Sequence, residues 1–146
     1  MADTSCFIIL TNIGKLDLLH KVYGKVTTTL DIINEYGELL PEWVEVKDTK
    51  DKYRQQLLEM QIDKGESSAI TLALETPEST LILDDYRARK IAEQLSLSYT
   101  GTIGVLVKAK LMGVILTIKP LLEKIRQTNF RISAEIELQA LKEANE

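Results

Sequence analysis

Three carboxylates in the stretch from Gly65 to Leu95 stand where an α/β protein does its chemistry. The segment GESSAITLALE reads as a helix, with Ala69, Ile70, Ala73 and Leu74 at helical spacing, and it opens on Glu66. The run Leu81-Ile82-Leu83 that follows is continuously apolar and ends in Asp84 and Asp85, before a basic helix YRARKIAEQL. A strand of that kind suits a parallel sheet covered on both faces, and ligands of such sheets bind beyond the carboxyl ends of the strands. Asp84 or Asp85 is thereby expected at the rim, with Glu66 able to reach it. Oxygen ligands of this type favour hard cations such as Mg²⁺ or Mn²⁺. The competing reading is structural. Glu66 in a first helical turn complements the helix dipole, and Asp85 before Tyr86 is an ordinary N-cap.

Composition removes several other chemistries. His20 is the only histidine and Cys6 the only cysteine, so histidine-rich metal sites and intramolecular disulfides are excluded by count, and a thiolate zinc site would need other ligands. A Ser-His-Asp arrangement would need His20, whose setting in LDLLHKVYG reads as a solvated helix end. There is no GxGxxG and no GxxxxGK[ST], which removes the dinucleotide and P-loop readings. The net charge of −4 argues against a surface that coats nucleic acid generally, while leaving room for a local basic patch. The apolar region from Gly104 to Ile118 is broken by Lys108 and Lys110, so no membrane span is expected, and a reducing cytoplasm is the simplest compartment. A chain of 146 residues with this composition is expected to form a single domain over 1–146 with a sizeable core.

The elements that must position the acids alternate between strand and helix. TSCFIILTNIGKLDLL reads either as a helix broken by Gly14 or as an apolar strand leading into one. Val26–Leu30 (VTTTL) is a β-branched strand, Asp31 a plausible N-cap for IINEYGE, and Pro41 its terminator. Trp43–Val46 alternates like a strand, and Asp48–Met60 reads as a surface helix with a narrow stripe of Tyr53, Leu57 and Met60. Ser98-Tyr99-Thr100 reads as a last short strand. A helix from Gly101-Thr102 to about Met112 follows, with Val105, Leu106, Ala109 and Met112 inward. A proline-started helix comes after Lys119, and a final one is capped by Ser133. The expected core includes Ala69, Ile70, Ala73, Leu81, Ile82, Leu83, Val105 and Leu106. The alternation indicates an α/β sandwich around a mainly parallel sheet.

Asp3, Glu35, Glu66 and Asp85, with Asp84 as neighbour, thus fall near strand ends or helix starts in successive units. Their order, with ADTSC, TTTLDIINEYGELLPEW, DKGESSAITLALE, LILDDYRAR, YTGTIGVLVKAKLMG and IKPLLEKIRQTNFRIS, resembles the PIN-domain superfamily of Mg²⁺/Mn²⁺-dependent ribonucleases, the fold of the VapC toxins of toxin–antitoxin modules. The resemblance covers nearly the whole chain and implies a PIN-like α/β/α sandwich. It implies Asp3, Glu35, Glu66 and Asp85 as catalytic acids, with Asp3, Glu66, Asp85 and Asp84 as metal ligands. It further implies an RNA substrate, a small antitoxin protein as a partner, and a homodimer, for which Tyr53, Leu57 and Met60 offer a surface. The basic residues Arg87, Arg89 and Lys90 would hold RNA phosphates, and Thr100 and Thr102 would orient substrate or water. The chain departs from the family in three places. Only Met1 and Ala2 precede Asp3 where relatives carry a full strand, so a shortened or differently supplied central strand is expected. Glu66 replaces a common aspartate, and Leu83 a common threonine. The alternative is a PIN-like scaffold that binds RNA or protein without cleaving it.

The physical reason to bring acids together is a cation. Two carboxylates about 4 Å apart repel by roughly 4 kcal/mol at an effective dielectric near 20, so a cluster without a counter-ion loses stability or takes up protons.

Overall fold

The structure is a computed structural model that describes residues 1–146. Its order is α1 (Thr4–Asn12), α2 (Asp17–Tyr23), β1 (Val26–Thr29), α3 (Leu30–Tyr36), β2 (Val44–Lys47), α4 (Lys52–Leu58), α5 (Lys64–Leu74), β3 (Thr80–Ile82), α6 (Tyr86–Gln94), β4 (Ser98–Thr100), α7 (Thr102–Leu111), α8 (Lys119–Arg126) and α9 (Ala134–Glu143).

Both strand pairs are parallel: β1 with β2, in register Val26 to Val44, and β3 with β4, in register Thr80 to Ser98. Between β1 and β3 lie the first residues of the chain. Ala2 N donates to Thr27 O at 3.0 Å, Ile82 N donates to Met1 O at 2.8 Å, and Asp3 N donates to Ile82 O at 3.3 Å. Ala2 and Ile82 form a parallel bridge. These bonds order the sheet β2-β1-(Met1–Asp3)-β3-β4.

All four residues of β1 are buried, which suits a β-branched strand covered on both faces. Helix α5 packs on α3, α4, β1 and β3, while α7 packs on α2, α9 and α1. The result is the α/β/α sandwich expected from the alternation. The expected core residues Ala69, Ile70, Ala73, Leu81, Ile82, Leu83, Val105 and Leu106 are all buried, and Leu122, Ile125, Phe7 and Leu10 join them.

Several local expectations change. Of the two readings of the first segment, the broken helix is the one found, with Gly14 in the turn between α1 and α2. The cap of α3 is Thr29, whose hydroxyl accepts from Ile32 N at 3.1 Å, and Asp31 lies inside the first turn. A hydroxyl at the end of a buried strand reaches the free amide without leaving the core, which Asp31 cannot do. Helix α3 ends at the left-handed Gly37, four residues before Pro41. Met112 is half exposed because α7 stops at Leu111 and the chain turns outward there. His20 is a helix-end residue as expected, its Nδ1 2.8 Å from Gly24 O and its ring stacked on Trp43. No helix is long and apolar enough to cross a membrane.

Candidate metal and nucleic-acid site

Asp3 leaves the central segment and becomes the N-cap of α1, but its side chain makes no capping bond. Its carboxylate therefore caps no amide deeper in the helix, although the residue is only 4% exposed. The acids around it are differently employed. Asp63 caps α5, accepting from Glu66 N at 2.7 Å, and Asp85 caps α6, accepting from Ala88 N at 3.0 Å. Asp84 is held by the start of α7, accepting from Thr102 N at 2.9 Å and from the Thr102 hydroxyl at 2.6 Å.

Glu66 sits in the first turn of α5 and is 8% exposed. Glu35, on α3, is exposed, and its carboxylate lies against Gly65. A Cβ at Gly65 would run into Glu35 Oε2, so the bare backbone lets α3 and α5 close at this point. The floor between these helices is fixed by a buried hydroxyl pair, Thr29 with Ser68 at 2.6 Å.

The charges register one another. Burial pushes Asp3 up to about 7; the Thr4 backbone N–H opposes that rise, and Asp63, Glu35 and Asp84 add to it by repulsion. Burial pushes Glu66 up to about 8, with Asp63, Asp3 and Asp85 adding repulsion. Glu35 is also raised, by burial and then by Asp63, with the Thr4 hydroxyl pulling the other way. That Thr4 hydroxyl is buried at this site and faces Glu35, with no other hydrogen-bond partner in the protein.

Asp3 and Glu66 are thus two buried carboxylates raised by burial and by repulsion from neighbouring acids, among them Asp63, Glu35, Asp84 and Asp85. No three acids are gathered closely enough to enclose an ion by themselves. Mg²⁺ does not demand that, since it commonly binds through one or two carboxylates and keeps several waters. An all-oxygen donor set around the buried Asp3 and Glu66 carboxylates has the chemistry a hard divalent ion takes.

A hollow of about 320 Å³ opens beside this pair, lined by Asp63, Glu66, Asp85 and Arg87 among others. Of the residues expected to meet substrate, Arg87 borders this hollow and Lys90 is exposed, its Nζ 5.8 Å from the centre of the Tyr86 ring. Arg89 is half-buried; its Nε donates to Leu83 O at 2.8 Å and its guanidinium lies over Tyr99. Thr100 is half-buried against Gly104. Thr102 is fully buried with its hydroxyl spent on Asp84, so it orients that carboxylate and offers nothing to a ligand. Asp63 and Thr4 were not among the expected site residues. Asp63 was findable, because Asp63-Lys64-Gly65-Glu66 has the spacing of a capping-box-like helix start.

A family model described as a PIN domain matches residues 1–146. No curated protein and no solved structure matches the chain at a significant level. A nuclease-type α/β/α fold, with acids beyond the carboxyl ends of its parallel strands and a family match over the full length described, leads to one assignment: the chain belongs to the PIN domain family.

Proposed function

We propose that the protein is a metal-dependent endoribonuclease whose centre is the buried pair Asp3 and Glu66, with Glu35, Asp84 and Asp85 completing the acidic rim. The observation that carries this reading is the charge imbalance at the pair. Both carboxylates are pushed toward neutrality at physiological pH by burial and by their neighbours, a situation that a divalent ion relieves. Mg²⁺ or Mn²⁺ bound there would activate water for attack on a phosphodiester and offset charge on the leaving oxygen. The chain's own contributions are separate. Asp3 and Glu66 hold the ion, Thr102 fixes Asp84, and Arg87 at the mouth of the hollow attracts a phosphate. Within the family this is the chemistry of VapC-type toxins, and a small antitoxin protein is the partner such a role entails.

The test is a paired one. Mg²⁺ or Mn²⁺ at about one hundred times its dissociation constant should stabilise the fold by roughly 2.7 kcal/mol, and the same ion should switch on cleavage of single-stranded RNA. Stabilisation and cleavage both absent would sink the reading. A second reading, an RNA- or protein-binding scaffold, is favoured by the absence of any three acids at ligating distance. It predicts RNA binding that is unchanged by the ion, without cleavage.

A further inference from the structure

A second, smaller hollow of about 140 Å³ lies on the other side of the Asp84-Asp85 step. It is lined by Asp84, Arg89, Gly101, Ile103, Phe130, Arg131, Ile132 and Ile136. It shares no residue with the acidic hollow of Asp63, Glu66, Asp85 and Arg87, yet the two are joined through the consecutive acids Asp84 and Asp85. Its volume is below that of pockets which enclose a drug-sized ligand, so it suits one flat fragment of a larger molecule.

Its chemistry is specific. Ile103, Ile132, Ile136 and the half-buried Phe130 supply apolar walls, including the one aromatic ring on its border. Arg131 is exposed and makes neither an ion pair nor a hydrogen bond; the arginines that do form ion pairs are Arg54 and Arg126. Arg89 has spent its Nε on Leu83 O and keeps its terminal N–H groups. The bare backbone of Gly101 leaves room for both Arg89 and Asp84 beside it. A Cβ at that position would strike the Arg89 guanidinium and come to 3.1 Å from Asp84 Oδ1. A ring beside cations and one carboxylate, in a chain of net charge −4, is an unusual combination to leave open.

We propose that this hollow is a base subsite for single-stranded RNA and that it selects guanine. The proposal rests on the nuclease reading for its substrate class, but the subsite does not need cleavage to exist. Single-stranded RNA is read through splayed bases that stack on aromatic rings and guanidinium planes, and Phe130 with Arg131 provides both. The donor–acceptor pattern decides the base. Arginine only donates and pairs with the O6 and N7 acceptors of guanine, whereas Asp84 only accepts and suits the N1–H and exocyclic amine of the opposite edge. Adenine places a donor beside N7, and the pyrimidines lack the N7 acceptor. A base held here would leave the neighbouring phosphate free to reach Arg87, which borders the acidic hollow.

The test uses the full chain in EDTA, where no cleavage interferes, with fluorescently tagged six-nucleotide single-stranded RNAs that are uniform except for one G, A, C, U or inosine. The guanine-containing RNA should bind about tenfold or more tightly than the A, C and U versions, and inosine, which lacks the exocyclic amine, should fall between. Arg131→Ala and Phe130→Ala should each remove the preference. Arg131→Lys, which keeps the charge but loses the planar fork, should retain overall binding and still lose the preference. Melting curves for each variant establish that it is folded. Equal binding of all five RNAs, or a guanine preference that survives Arg131→Ala in a folded protein, overturns the subsite. If guanine is preferred and lost with Arg131 while no ion elicits cleavage, the subsite stands and the nuclease reading falls. If cleavage is ion-dependent and indifferent to the base, the opposite holds.

Discussion

Replacing Glu66 with glutamine should make the metal-free protein more stable at neutral and alkaline pH, although the residue belongs to the proposed centre. Glutamine keeps the shape of the side chain and removes only its charge, and the capping bond from Glu66 N to Asp63 is a backbone bond that survives. The sign follows from the direction of the shift. The carboxyl titrates near 4.5 in its ordinary setting and near 8 in the fold. Below pH 4.5 it is protonated in both states and costs nothing. As pH rises toward 8 the unfolded chain ionises freely while the fold resists, so wild-type stability is lost across that window. At about 1.4 kcal/mol per pH unit the ceiling is on the order of 5 kcal/mol. Part of that burden is shared with Asp3, which titrates with it, so about 2–3 kcal/mol is the expected gain of Glu66→Gln at pH 8. Urea unfolding in EDTA at pH 5, 6, 7 and 8 reads it directly: the gap between variant and wild type should widen with pH, and Mg²⁺ should narrow it by stabilising wild type alone. A gap that is flat across this range, or a variant that is less stable at pH 8, would refute the assignment of Glu66 as a strained buried acid.

Two further substitutions separate structural from functional acids. Asp85→Asn should leave stability within about 0.5 kcal/mol in thermal melts, since asparagine caps as well as aspartate, yet it should weaken the ion-induced rise in melting temperature and lower RNA cleavage. Gly65→Ala should be neutral or stabilising by up to about 1 kcal/mol, because alanine favours the helix and the flexible end of Glu35 can give way. The displaced Glu35 should nonetheless reduce ion-dependent cleavage, and unchanged cleavage would remove Glu35 from the site.

The parts of this fold that could be read from the sequence are those written in local pattern. Val26–Thr29 and Leu81–Leu83 announce buried strands by composition, and Ala69, Ile70 and Ala73 announce the inner face of α5 by period. What could not be read depends on partners distant along the chain. Asp85 is legible as the N-cap of α6, but the tether of Asp84 is not, because its partners are the amide and hydroxyl of Thr102, eighteen residues on. Arg89 sits in a basic run with Arg87 and Lys90, but a carbonyl at the end of β3 and the ring of Tyr99 turn it inward. Thr29 displaced Asp31 as a cap because the helix begins directly from a strand, which the preference for acidic caps does not anticipate.

The middle of the sheet has a mechanical consequence. The β1–β2 and β3–β4 halves are stitched together by Met1, Ala2 and Asp3, and the last stitch, from Asp3 N to Ile82 O, is long at 3.3 Å. The residue that carries a buried acid of the site is therefore also the clasp between the halves. Neutralising the Asp3 carboxylate is expected to act at the same residue that joins the halves. Ion binding at Asp3 should then slow deuterium uptake at the Asp3 and Ile82 amides, a readout from the backbone alone, without reference to catalysis.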